Sequence, residues 1–445
     1  METRTLGAGT VVTEPVARAR ERWQRAFYGT ATPRGSHPGR LATTLCSYLG
    51  ALATGELVVR LRGGQRAAFL QRQLEPVLGN IQQAVELAAA EGMCILRPMV
   101  ERGAIRVEMI PAHRVFPTAF GPDGRIERGY FADFRQAGKD ELVRLEHFCW
   151  NGGKLTVENH AYRLRGNVLE KELPLDTLEA WSGLEKRLEV ENVRGPMFGV
   201  LKMPFTGNVD PRSPLPVSLF SGAEESLAEF DRLYGELLYE LHSGKRKRIL
   251  ERQALPGLGG KRLPGAVGYQ DLSADTYLIL DPMEQQKPFD DYSPVMRTEE
   301  YLKGLKALLH LIENQCHLSP GSLRLDAGTG ALTATEVVSR DRTTYNTCAA
   351  VQERGMRQGL MDLVEAMDAL CDLYDLCPAG AVETTISFGD SVFEDTQQEF
   401  SRRLKLVEAG CLRPESLLEW YFHVDQETAR RELLPQSQTQ QGGKG

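Results

Sequence analysis

The sequence lacks the features that mark several classes of protein. No run approaches the roughly 18 consecutive apolar residues of a membrane span, and residues 1–15 hold no apolar stretch like that of a secretory signal. The 8 cysteines form no CxxC pair and are too few to make a disulfide scaffold of 445 residues. We therefore expect reduced, mostly buried thiols and a protein that is made in the cytoplasm, with no membrane contact.

The motifs of the common nucleotide and metal enzymes are also missing. The sequence contains no GxxxxGK[ST] and no HExxH, and Gly244-Lys245 has neither the preceding glycine frame nor the following hydroxyl residue of a phosphate-binding loop. His310, Cys316 and His317 lie close together, but no fourth ligand follows at helical spacing. The sequence thus predicts no cofactor, no metal and no enzymatic activity.

One segment resembles an enzyme motif. Phe388-Gly389-Asp390-Ser391 is similar to the nucleophile block of GDSL esterases, in which a strand leads into a turn that exposes the serine. Those enzymes need a later DxxH, whereas here only His423 follows and Trp420 stands three residues before it. A strand end capped by Asp390 or Ser391 is the favoured interpretation, with the esterase as the alternative.

The charge balance is acidic. Lysine and arginine number 53 and aspartate and glutamate 60, which gives a net charge of −7, unlike a protein that grips duplex DNA by neutralising phosphates. The only dense basic run is Lys245-Arg246-Lys247-Arg248, at the expected end of a helix. It is either a solvated helix end or a contact for a phosphate or a partner.

Hydrophobic periodicity predicts an α+β chain. The helical patterns cover residues 16–28, 41–53, 65–91, 221–241, 295–316, 334–376, 396–408 and 414–420. The strand patterns cover residues 56–61, 94–96, 105–110, 130–134, 142–150, 155–157, 168–173, 276–280 and 382–388. Thr333 to Glu336 fits a capping box, and the polar stretch 339–347 predicts that this long helix packs against other chains or lines an aqueous space.

In this order, the elements resemble those of portal proteins of tailed bacteriophages, of the siphophage type found in phages of Gram-positive bacteria. Four stretches carry the resemblance, and together they span most of the chain. Their matching motifs are Ile110-Pro111-Ala112-His113-Arg114-Val115-Phe116-Pro117 within 92–134, Ser213-Pro214-Leu215-Pro216-Val217-Ser218 within 198–248, Thr333-Ala334-Thr335-Glu336-Val337 within 289–340, and Leu406-Val407-Glu408-Ala409-Gly410 within 394–434.

The resemblance implies a portal-like subunit with a mixed α/β wing. Its parts would be an N-terminal arm (1–35), the wing (36–213), a first stem helix (214–243), a clip (244–292), a second stem helix (293–317), a tunnel loop (318–333), a long helix with the rest of the wing (334–393), a short helical crown (394–434) and a disordered tail (435–445).

The resemblance also implies site residues. Oligomer contacts in the stem would involve Leu233, Leu237, Leu305 and Leu308; partner binding at the clip would involve Lys245, Arg246, Lys247 and Arg248; and the tunnel loop at the DNA channel would include Ser319, Gly321, Arg324, Asp326, Gly328 and Gly330.

Portal proteins form a ring, a dodecamer in the capsid, through which DNA is packaged and ejected. By resemblance, the expected partners are other copies of the chain, the terminase motor, the head-tail adaptor, the major capsid and scaffold proteins, and double-stranded DNA in the channel. The expected place is the portal vertex of the virion, after assembly in the bacterial cytoplasm. A non-portal head assembly or adaptor protein, with the same helices used only for assembly, is the alternative.

Overall fold

The chain combines helices with mainly antiparallel sheets, which confirms the predicted α+β class. A computed structural model describes residues 11–29, 40–166, 168–243, 247–251, 277–280, 289–292, 295–323, 342–389 and 396–422. Of the three short strands between 247 and 292, the backbone alone is described. None of the helices in these ranges has the length and apolar content needed to cross a membrane.

Helices form one layer of the body, and many of their apolar side chains share a single core. They are α1 (Glu14–Tyr28), α2 (Leu41–Thr54), α3 (Gln65–Gly79), α4 (Ile81–Glu91), α5 (Glu224–Ser243), α6 (Thr298–Gln315), α7 (Arg342–Ala350), α8 (Arg357–Leu373), α9 (Thr396–Glu408) and α10 (Pro414–Phe422).

The strands form four sheets among the described residues. They are β1 (Leu57–Gly63), β2 (Met93–Glu101), β3 (Ala104–Pro111), β4 (Val115–Phe120), β5 (Ile126–Ala137), β6 (Asp140–Asn151), β7 (Lys154–Arg165), β8 (Val168–Leu173), β9 (Arg187–Glu191), β10 (Gly199–Lys202), β11 (Lys247–Glu251), β12 (Tyr277–Leu280), β13 (Phe289–Tyr292) and β14 (Val382–Phe388). The orders are β1-β14, β10-β2-β3, β12-β11-β13 and β4-β5-β6-β7-β8, with β9 beside β7.

Strand β2 joins the helical layer to the six-stranded sheet. Successive side chains of a strand point to opposite faces, so Cys94 and Leu96 enter the helical core while Met93 and Ile95 enter the core of the sheets. All four side chains are buried. The strand is therefore covered on both faces, and its run of apolar residues is the pattern expected of such a strand.

The expected single helix over 65–91 is wrong, because the structure has two helices there. Helix α3 ends at Gly79 and α4 begins at Ile81, with Asn80 between them in a non-helical conformation. Pro76 lies in the last turn of α3 and has no backbone N–H to donate, and the Asn80 side chain donates to the Pro76 carbonyl at 2.9 Å. Apolar residues stay in register across the break, so periodicity alone does not reveal it.

The long helix after residue 333 is interrupted by a π-helical segment, Val351–Met356, between α7 and α8. Here the helix approaches β10 so closely that a Cβ on Gly355 would lie 2.3 Å from the Lys202 carbonyl oxygen. The helix ends at Leu373, slightly before the expected residue 376. The predicted start and capping box lie outside the described residues.

Candidate functional site

Helices α5 and α6 pack side by side and run antiparallel. Near one end the Arg297 N–H donates to the Glu240 carboxylate at 3.3 Å, and further along a Cβ on Gly304 would lie 3.1 Å from Leu233 Cδ2. At the other end Gly222 lies near the Gln315 carbonyl oxygen. The sequence predicts two amphipathic helices in these positions, and the structure contains both with ends shifted by a few residues.

The predicted stem leucines have partners within the chain. Leu237 is 7% exposed and Leu305 is 2% exposed, and both belong to the core of the helical layer. Leu233 and Leu308 are half-buried against the same core. The burial of Leu237 and Leu305 thus needs no neighbouring subunit, because the core of the helical layer covers both side chains within one chain.

Other apolar side chains of the pair are exposed. Tyr239 on α5 is 73% exposed, and Leu302 and Leu311 on α6 are 41% and 46% exposed. Val295, just before α6, is 92% exposed. Singly exposed apolar side chains are normal on a protein surface, so these four are only candidates for contact with another chain.

The segment between the two helices contains a small three-stranded sheet. Strand β11 pairs in parallel with β12 and antiparallel with β13. Of the predicted basic cluster, Lys247 and Arg248 begin β11, while Lys245 and Arg246 lie outside the described residues. The strand expected at 276–280 is present as β12.

The first part of the predicted tunnel loop is a compact turn directly after α6. Ser319 is fully buried and Gly321 is half-buried, with a φ of +85°. Four further predicted loop residues, Arg324, Asp326, Gly328 and Gly330, lie outside the described residues.

Two polar residues hold this turn, and the predicted site includes neither of them. Glu313, on the buried face of α6, accepts the Gly321 N–H at 2.7 Å and the Leu323 N–H at 2.6 Å. Thr344 of α7 accepts the Ser319 N–H at 2.8 Å. The sequence carried a signal for Glu313, since a charged residue stands among the apolar positions Leu309, Ile312 and Cys316.

Two threonines in the polar start of the long helix contact this turn. Thr344 is 1% exposed and Thr347 is 7% exposed, and the Thr347 hydroxyl donates to the His317 carbonyl at 2.7 Å. The prediction of an aqueous or intermolecular face is therefore wrong for these two threonines, because their hydroxyls hydrogen-bond to the turn.

The histidine and cysteine that follow α6 have separate surroundings. The His317 ring stacks on Phe205, with ring centroids 4.9 Å apart. Cys316 is fully buried, and this burial, together with the charge of Glu313, raises the pKa of its thiol to about 12. The thiol therefore stays protonated and unreactive in the folded chain at neutral pH.

The C-terminal helices α9 and α10 contact each other through aromatic side chains. The Phe400 and Tyr421 rings lie 4.8 Å apart, and the Arg403 guanidinium lies 4.3 Å from the Trp420 ring centre. Both helices were predicted from the sequence. Asp390, Ser391 and His423 of the esterase alternative lie outside the described residues.

Comparisons with known proteins give one family. No curated protein matches the chain significantly. Among solved structures, the chain is similar to one described as "Neck of native GTA particle computed with C12 symmetry", with 12% sequence identity, a TM-score of 0.40, and coverage of 91% of this chain and 93% of that chain. Residues 289–443 match the family described as "Phage portal protein, SPP1 Gp6-like". This match confirms, over residues 289–443, the resemblance to phage portal proteins that the sequence predicts.

Proposed function

We propose that copies of this chain form a closed ring, a dodecamer in the capsid, at one vertex of a phage head. DNA passes through the axial channel of this ring during packaging and ejection. The family match supports the proposal, since portal rings have this role. The chain takes no part in catalysis, because the ATP-hydrolysing motor is the separate terminase.

The antiparallel pair of α5 and α6 is the observation that carries the proposal. Its buried leucines make the pair rigid within one subunit, whereas Tyr239, Leu302 and Leu311 stay exposed. Head-to-tail contacts through different surfaces of identical chains close into a ring when the rotation between neighbours allows it. The exposed side chains, rather than Leu237 and Leu305, make the contacts between neighbouring stems.

The regions at the two ends of the helix pair have different roles in this proposal. Residues 244–292 form the clip, which binds the terminase and later the head-tail adaptor through Lys245 to Arg248. Residues 318–333 form the tunnel loop at the narrowest part of the channel. The major capsid and scaffold proteins surround the wing, built from 36–213 and 334–393.

The charge of the chain is compatible with a channel for DNA. With a net charge of −7, the subunit does not supply the excess of lysine and arginine that retains duplex DNA by releasing counterions. The loop segment carries Arg324 and Asp326, one charge of each sign. A ring of such loops contacts DNA without holding it strongly.

Deletion of Asp326 to Gly330 in an otherwise complete phage tests the DNA role of the loop. The deletion leaves α6, α7 and the turn at 318–323 intact, so ring assembly should be normal in electron micrographs. Packaging yield or genome retention should fall, because the constriction around DNA is lost. Full packaging and normal retention would contradict the assignment of this loop.

A further inference from the structure

Glu313 is a carboxylate buried in the helical layer. Its side chain is 0% exposed and lies among Leu309, Ile312 and Cys316 on the inner face of α6. Burying such a group costs free energy unless its oxygens accept hydrogen bonds. The identity of the donors therefore shows what the residue does.

Within the part of the chain that the structure describes, three backbone N–H groups that follow α6 donate to Glu313. The Glu313 side-chain oxygens accept the N–H groups of Gly321 and Leu323 at 2.7 and 2.6 Å, one on each oxygen. The Glu313 main-chain carbonyl accepts the Leu318 N–H at 2.8 Å. The backbone after α6 thus turns back so that its N–H groups reach Glu313. The turn needs a φ of +85° at residue 321, which glycine adopts readily and other residues do not.

A second set of hydrogen bonds joins the same turn to α7. The Ser319 N–H donates to the Thr344 hydroxyl at 2.8 Å, and the Thr344 N–H donates to the Ser319 hydroxyl at 3.1 Å. The Ser322 hydroxyl lies 3.1 Å from that of Thr344 and donates to the Ser319 carbonyl at 2.7 Å. The turn is therefore bonded to both α6 and α7.

We propose that Glu313 is the positioning residue of the tunnel loop. Its carboxylate fixes residues 319–323 against α6, and Thr344 fixes them against α7, so the start of the tunnel loop is held at a set point between the two helices. In a ring, this places identical loops at one height around the axis. A force on the loop is carried to both helices through these hydrogen bonds. The proposal rests on the proposed function for the role of the loop, but its geometry is independent of that function.

Glu313→Gln tests the proposal with little change in volume. Glutamine has only one side-chain acceptor oxygen, so its amide N–H₂ group would face a backbone N–H, and one hydrogen bond would be lost. Glu300→Gln is the matched control, because Glu300 is exposed on the same helix. Thr344→Val is a second variant, which removes the hydrogen bonds of the Thr344 hydroxyl, keeps the bond from the Thr344 N–H to Ser319, and leaves Glu313 unchanged.

The first readout is amide hydrogen exchange of residues 318–323 in the purified full-length protein. Glu313→Gln should speed exchange at Gly321 or Leu323 by roughly tenfold to a hundredfold, the factor for losing a hydrogen bond to a charged group. The Glu300→Gln control should match the parent. Unchanged exchange in Glu313→Gln would overturn the proposal.

The second readout is packaged DNA in phage carrying each variant, compared with the deletion of Asp326 to Gly330. Glu313→Gln and Thr344→Val should form normal rings and lose packaging or retention, as the deletion does. Suppose that the deletion impairs packaging and that Glu313→Gln exchanges faster, but that both point variants package DNA normally. The turn would then only stabilise the fold, and the positioning role would be overturned. Normal packaging by the deletion itself would contradict the proposed function, while the exchange result would still test the geometry.

Discussion

Single residues join β2 to the six-stranded sheet through a partly buried ion network. Arg97 of β2 donates to Glu146 of β6 at 2.7 Å, and Arg144 donates to the other oxygen of Glu146 at 2.8 Å. Burial alone would raise the pKa of Glu146, but the two arginines outweigh this effect and lower it. The charged form of Glu146 is therefore favoured in the folded state.

Glu146→Gln should change how stability depends on pH. A carboxyl whose pKa is lowered by folding stabilises the protein above its unfolded pKa, about 4.3, and this contribution is lost as the pH falls through the folded value. The variant should thus be less stable than the parent at neutral pH, by about 1–3 kcal/mol because Arg97 and Arg144 keep Glu108 and Asn159 as partners, and lose less on acidification. Thermal unfolding between about pH 6 and pH 3 measures this. Glu141→Gln, exposed on the same strand, is the control, and equal pH slopes for Glu146→Gln and the parent would contradict the account.

The sequence predicted the helical positions of the site residues better than their contacts. Leu237 and Leu305 were correctly read as apolar positions of amphipathic helices, but a periodic pattern does not distinguish burial within a chain from burial between chains. Glu313 and Thr344 bind the same turn from two different helices. Contacts of this kind depend on the path of the backbone, which residue spacing does not give.

At the scale of elements, the helix pair offers a test that separates folding from assembly. Leu305→Asp places a charge in the core between α5 and α6, so it should unfold the pair at a cost of about 3 kcal/mol or more. Replacing Tyr239 and Leu302 by serine changes exposed side chains only. The double variant should keep the parent's thermal stability as a subunit but form rings less readily, as measured by size-exclusion chromatography and electron microscopy.

The opposite pattern would contradict the assignment of the stem surface. If the double variant assembled as readily as the parent, Tyr239 and Leu302 would lie outside the contacts between subunits. The Leu237→Asp variant would not be informative here, since Leu237 is buried within the chain and its loss would disturb folding first.

Most elements were predictable because their patterns are local. Helices α5, α6, α9 and α10 and strand β14 occur where apolar periodicity and turn residues indicate them. The break at Asn80 and the π-helical segment at Val351–Met356 were not predicted. At both places the apolar face continues through the irregularity, so the periodic pattern does not reveal it. The π-helical segment also fits the helix against β10, and this contact joins residues that are far apart in the sequence.

At the scale of the whole molecule, the basic run at the end of α5 is expected to serve a partner rather than the fold. Replacing Lys245 to Arg248 by alanine should leave ring assembly unchanged and weaken binding to the terminase or the head-tail adaptor. The loss should be larger at low ionic strength, where charges are screened less. Affinity measured at two salt concentrations tests this, and an unchanged affinity at low salt would show that the run between α5 and β11 does not bind the partner.

The central claim is that the chain is a subunit of a ring with an open axis, and cryo-electron microscopy of the purified full-length protein tests it most directly. The account predicts a closed ring with an axial hole, in which α5 and α6 of neighbouring subunits lie side by side and the turn held by Glu313 faces the channel. A monomer, or a closed assembly without an axial opening, would contradict it.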